Sequence, residues 1–223
     1  MKRTAGLWWL ALSAAAVAVY APLPYLTASL DALAADGTGL AGHYAGQPAW
    51  VRSALYVHMI GAGVALLLSP LQFSARLRAR LPRLHWVAGR TVLAAVVPGG
   101  VAGLLLSPFS YAGLAGTAGF GLLALLWLVA AASAFRAARR RDLRAHRRWA
   151  VRLFALTYAG VTLRLWLIIL LVAQPGTDPG VAFDRAYLIV TFLSWVPNLL
   201  LAEFLLRSRR SARRKVVGAT ASA

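Results

Sequence analysis

Five ionisable side chains, His58, Arg90, Arg152, Arg164 and Glu203, stand inside long apolar runs of this sequence. A charge at the centre of a bilayer costs about 2.5–3.5 kcal/mol on insertion scales, so such residues turn toward a protein interior and are candidates for function. At 1.5 Å per residue, Arg164 falls roughly 22 Å beyond Trp149, and His58 lies roughly 8 Å inside the opposite end of its own run. The two depths match. Neither run holds an acid, so the pair calls for an anion: an aspartate from a loop, a lipid phosphate, a substrate carboxylate or a cofactor propionate. The plainer alternative has Arg164 reaching outward to the headgroups and His58 hydrogen-bonded in the core. Gln72 shares the helical stripe of His58, and Tyr158, Thr162 and Asn198 are polar side chains of the fifth and sixth runs. Together the six form a candidate seam for a lipid, a quinone or another amphipathic anion. Glu203, the one carboxylate inside any run at its depth, lies level with Arg90 and Arg152. Its pairing with Arg152 is the assignment taken, and that pair is scaffold, not chemistry.

Other chemistries find no residues. The chain has no Cys, which removes disulfides, thiolate metal sites and thiol catalysis. No zinc-type spacing, serine nucleophile, paired-carboxylate site or phosphate-cradling glycine loop is present, and no metal site is assigned. Whether the chain is an enzyme stays open at this stage.

The elements that position these side chains are six apolar stretches, at about 6–26, 53–73, 86–107, 117–135, 149–173 and 185–206, each long enough for a hydrocarbon core of about 30 Å. Backbone groups in lipid must be satisfied within the segment or a closed barrel, and runs this long without two-residue alternation exclude the barrel. The expected fold is an all-α polytopic bundle: one transmembrane domain over residues 1–206, then a basic tail over 207–223 expected to be disordered. Arginine and lysine gather at the N-terminus, between the second and third runs, between the fourth and fifth, and after the sixth. The opposite loops carry only Arg52 and Arg185. Both termini are therefore expected in the cytoplasm, in a bacterial inner membrane.

The net charge of +18 is accounted for by topology and anionic headgroups, which excludes nucleic acid as a partner. The first run also resembles a signal peptide, but its apolar stretch continues to Leu26 and a retained span is expected. The long loop from Thr27 to Val51 carries His43, Tyr44 and Trp50. It could cover a cavity mouth, although disorder is the simpler expectation for such a length.

Spacing selects faces on the runs. His58, Gly61, Ala62, Ala65, Ser69 and Gln72 recur every three or four residues along the second, a small and polar stripe that should face protein. The third offers Gly99 and Gly103 after Pro98, with a kink expected there. His146, Thr157, Gly160 and Arg164 align on the fifth, and Tyr187, Thr191, Ser194 and Asn198 on the sixth, interrupted by Pro197.

The segments Leu84-His85-Trp86-Val87-Ala88-Gly89-Arg90, Ala145-His146-Arg147-Arg148-Trp149 with Arg152, Thr162-Leu163-Arg164-Leu165, and Ser194-Trp195 with Asn198 and Glu203 resemble DUF2306, a family of bacterial multi-pass membrane proteins without an assigned function. The resemblance spans about His58 to Glu203. A weaker likeness runs to cytochrome b561 and ferric-reductase bundles. It implies one b-type haem between His85 and His146, with Arg90 and Arg152 on its propionates. Beside Trp and Arg at headgroup level, the two histidines could equally be interfacial side chains. Three roles follow: an electron-transfer protein, a binding or transport bundle, and an accessory subunit that meets a membrane partner or its own copy.

Overall fold

The computed structural model describes residues 2–35, 37 and 40–221, with side chains from residue 5 to 208. Twelve α-helices follow one another among the described residues: α1 Lys2–Tyr20, α2 Leu23–Thr27, α3 Leu30–Ala35, α4 Ala41–Ala45, α5 Ala49–Leu68, α6 Ala75–Arg80, α7 Pro82–Leu106, α8 Gly113–Arg139, α9 Leu143–Thr157, α10 Ala159–Val172, α11 Pro179–Leu193 and α12 Val196–Ala221. They make six apolar spans, Ala5–Thr27, Ala49–Phe73, Pro82–Phe109, Gly113–Arg139, Leu143–Val172 and Pro179–Ser208. The protein is an all-helical membrane bundle.

The spans overrun the apolar runs because their capping residues lie beyond the hydrocarbon signal. Asp142 Oδ1 accepts from the Ala145 N–H (2.8 Å) and starts α9. Asp178 Oδ1 accepts from Gly180 and Val181 (2.9 and 3.1 Å) and starts α11, with Pro179 in the first turn. α7 runs unbroken through Pro98. α12 keeps helical backbone through the basic segment as far as Ala221, where alanine and arginine have high intrinsic helix propensity.

Spans five and six are each interrupted in mid-membrane, at Tyr158 and at Ser194–Trp195. The second break follows from Pro197, which lacks an N–H and crowds the preceding turn. In lipid the freed carbonyls need donors. Thr162 Oγ1 donates to the Ser194 carbonyl at 2.5 Å, and Asn198 Nδ2 donates to Ala155 O (3.2 Å), Ser194 O (3.1 Å) and Thr162 Oγ1 (2.9 Å). The two breaks are thereby knitted together.

The core between spans two, three, four, five and six is built around Trp127 and Trp195, packed with Val92, Val96, Leu153 and Leu156. Each indole N–H is satisfied, by Thr157 Oγ1 at 2.8 Å and by Thr191 O at 2.9 Å. Spans two and three approach most closely at Gly61 and Gly99. A Cβ on Gly61 would sit 2.6 Å from the Ala95 carbonyl oxygen, so a larger residue would force the backbones apart.

The Thr27–Val51 connection departs from the expected disorder. Its described residues fold as α3 and α4, and Leu30, Leu33, Ala41 and Tyr44 join the ends of spans two and three in a second buried cluster. Alanine-rich turns between short apolar positions supply this packing, which loop length alone does not reveal.

Candidate ligand-binding site

Between the spans, in the half of the bundle near the arginine-poor loops, lies a cavity of about 460 Å³. Arg164 on α10 and His58 on α5 both line it. The Arg164 Nη1 donates to Gly160 O, one turn earlier on its own helix, at 2.7 Å, and among the described residues no carboxylate pairs with the guanidinium and no other acceptor meets its remaining N–H groups. His58 Nδ1 lies 2.9 Å from the Gly99 carbonyl, which can only accept, so Nδ1 bears a proton. The imidazole fits because residue 103 is glycine: a Cβ there would sit 2.8 Å from Nδ1.

Three tyrosines complete the polar lining. Tyr25 from α2, Tyr44 from α4 and Tyr187 from α11 reach the same space, and their hydroxyls have no hydrogen-bond partner among the described residues. Tyr25 and Tyr187 lie within electrostatic reach of Arg164, as does His58. At the floor, where α11 ends, Ser194 is fully buried and its Oγ is unpartnered. Burial without a partner costs a hydroxyl about 1–3 kcal/mol, an arrangement that a ligand with an acceptor or donor would relieve. Thr157, by contrast, is spent: its hydroxyl donates to Leu153 O and accepts from Trp127. The rest of the wall is apolar, with Leu66, Leu123, Leu163 and Phe183 among its side chains.

Four side chains of the expected seam lie elsewhere. Gln72 sits beside Gly89 and His85; with its amide turned so that nitrogen meets acceptors, it donates to His85 Nδ1 at 3.1 Å. Tyr158 bonds Ser13 of α1 at 2.7 Å, while Thr162 and Asn198 bridge the helix breaks. Spacing along the runs could not say which turn meets the cavity. Tyr25 was not among the expected site residues, and Tyr44 was expected only as part of a loop that could cover a cavity mouth.

The opposite half is arranged differently. Arg152 and Glu203 form a bidentate pair, Nε to Oε1 at 2.5 Å and Nη2 to Oε2 at 3.0 Å, and the Arg152 guanidinium also stacks over Trp149. Arg90 lies 3.6 Å over the ring of Trp86. His146 Nδ1 donates to Ala134 O at 2.9 Å. A haem between His85 and His146, as the weaker likeness implies, is not supported by this arrangement. The carboxylate and ring partners occupy both arginines meant for propionates, the Gln72 side chain flanks His85, and the large cavity is lined by neither histidine.

Residues 55–206 match the family model DUF2306, described as a predicted membrane protein. The chain belongs to the DUF2306 family. No curated protein and no solved structure matches it. Within this DUF2306 protein the matched stretch carries His58, Arg164, Tyr187 and Ser194, whereas Tyr25 and Tyr44 come from the preceding part of the chain.

Proposed function

We propose that this protein is a membrane binding or transport bundle whose cavity holds an amphipathic anion. Arg164 carries the reading: a guanidinium that has no carboxylate partner among the described residues, beside a histidine and three tyrosine hydroxyls without partners there, in a mainly apolar chamber. Burying an unpaired cation is unfavourable, and an anion restores the balance while the apolar wall accepts a hydrocarbon tail. Arginine's planar fork suits a carboxylate or phosphate oxygen pair. With the arginine-rich loops on the cytoplasmic side of a bacterial inner membrane, the site lies in the outer half of the bilayer.

Native mass spectrometry of the full chain released from mild detergent tests the proposal. The wild type should retain an anionic amphiphile that the Arg164→Ala variant loses. Identical bound-mass profiles for the two proteins would overturn it.

A further inference from the structure

The ways into the cavity differ from side to side. On the aqueous side α3 and α4 form a packed roof: Leu40 and Tyr44 face the chamber, Leu30, Leu33 and Ala41 bury against spans two and three, and His43 Nε2 bonds the Phe109 carbonyl at 2.8 Å. Tyr111 adds a clasp, donating to Asp184 Oδ1 at 2.6 Å and stacking edge-on with His43 and Tyr187. On the lipid side the wall is α1 and α2, through Val17, Ala18, Ala21, Pro22 and Tyr25.

That lipid-side wall is the weakest part of the bundle. Ala14 is the only buried residue among the described residues of span one, and Trp8, Trp9, Leu12, Val19 and Tyr20 face outward. Span one meets its neighbours through small side chains; even a Cβ added at Gly63 of span two would touch only the Ala18 carbonyl, at 3.7 Å. Among the described residues, its one side-chain hydrogen bond to span five is Ser13 to Tyr158, at 2.7 Å. Ser13 already donates to Trp9 O at 2.8 Å, so Tyr158 is the donor. In water such a loosely held helix would be driven back by apolar burial, but acyl chains replace its contacts at little cost.

We infer that the ligand is a single-chain anionic amphiphile dissolved in the bilayer, which enters sideways by displacing span one from spans two and five, and not a water-soluble acid arriving through the loops. This rests on the anion-site reading above and adds the route and the class of ligand. The head meets Arg164 and the tyrosines near the roof. The chain lies along Leu163, Leu66 and the small residues of span one.

The absence of cysteine gives a clean background for the test. An Ala18→Cys/Gly63→Cys variant of the full chain in nanodiscs is cross-linked by oxidation, fastening span one to span two. It is then exposed to a diazirine-tagged hexadecanoic acid, photolysed, and mapped by peptide mass spectrometry. Label is expected on the wall around residues 17–25 and 163–167, to fall at least tenfold in the oxidised form, and to return on reduction. The wild type under the same oxidant should label fully. Equal labelling of the oxidised and reduced variant would overturn sideways access while leaving the anion site standing. Competition by hexanoate as effective as that by hexadecanoate would overturn the lipid-borne class. Wall labelling that is absent in the wild type, or unaltered by Arg164→Ala, would overturn the underlying site.

Discussion

Two arginines on one span are treated in opposite ways. Arg152, near the basic end, has a bidentate carboxylate and an indole face; Arg164, near the arginine-poor end, has one backbone carbonyl and a cavity. Both are intramembrane cations subject to the same desolvation penalty. At the basic end the protein supplies the counter-charge and the group becomes scaffold. At the other end the counter-charge is left out, and tyrosine hydroxyls, a histidine nitrogen and an orphan serine surround the gap. A site here is therefore marked by incomplete satisfaction, more than by the mere presence of a charge in the membrane.

The largest effect expected from disturbing this contrast is at Glu203. Glu203→Gln leaves Arg152 without its counter-ion, and since breaking a buried pair costs about 3–5 kcal/mol and this one is partly exposed, a loss near 2–3 kcal/mol is expected. Thermal unfolding in detergent should show a midpoint several degrees lower. An unchanged midpoint would mean that the pair is not scaffold.

Arg164→Gln should behave in the opposite sense. Removing a cation that has no partner relieves a penalty, so ligand-free protein should keep or raise its midpoint, by at most about 1 kcal/mol. The stabilisation that added hexadecanoate gives the wild type should disappear. A fall as large as that of Glu203→Gln would erase the distinction between the two arginines.

The smallest effect concerns the roof. The hydrogen bond to Asp184 raises the Tyr111 hydroxyl above the ordinary tyrosine value of about 10, with burial adding to the shift. A group whose folded value is raised contributes stability that is fully present below about pH 10 and is lost as pH rises through the higher folded value. Because Tyr111 is exposed, the effect is a fraction of a kcal/mol at most. Wild type should unfold slightly above Tyr111→Phe at pH 8, with the two midpoints converging by pH 11. Parallel curves over that range would show that the contact does not hold the roof.

Much of this architecture is legible in the chain because hydrophobic length is a local quantity. Six runs of sufficient length become six spans, and Pro197 marks a break that the helix then shows. Depth alone puts Glu203 level with Arg90 and Arg152, and the fold pairs it with Arg152. Within the apolar runs His58 and Arg164 stand out because ionisable groups there are rare, whereas the polar Thr162 and Asn198 look equally suited to a ligand and turn out to satisfy broken backbone. Tyr25 gave no signal, being an ordinary residue for a membrane boundary. A covering role for the Thr27–Val51 loop could be raised but not preferred to disorder, because five- and six-residue helices leave no periodic trace and owe their burial to partners far along the chain.

What the amino-acid order determined was therefore one-dimensional: how many times the chain spans, how its charge is distributed between the two ends, and which side chains are too costly to leave in hydrocarbon. Tertiary structure alone decided which of those costly groups are completed by the protein and which are left facing a space. That outcome depends on the rotation and depth of neighbouring helices, set by close contacts such as Gly61 on Gly99 and His58 over Gly103, where packing of a few ångströms selects one partner from several that the spacing allows.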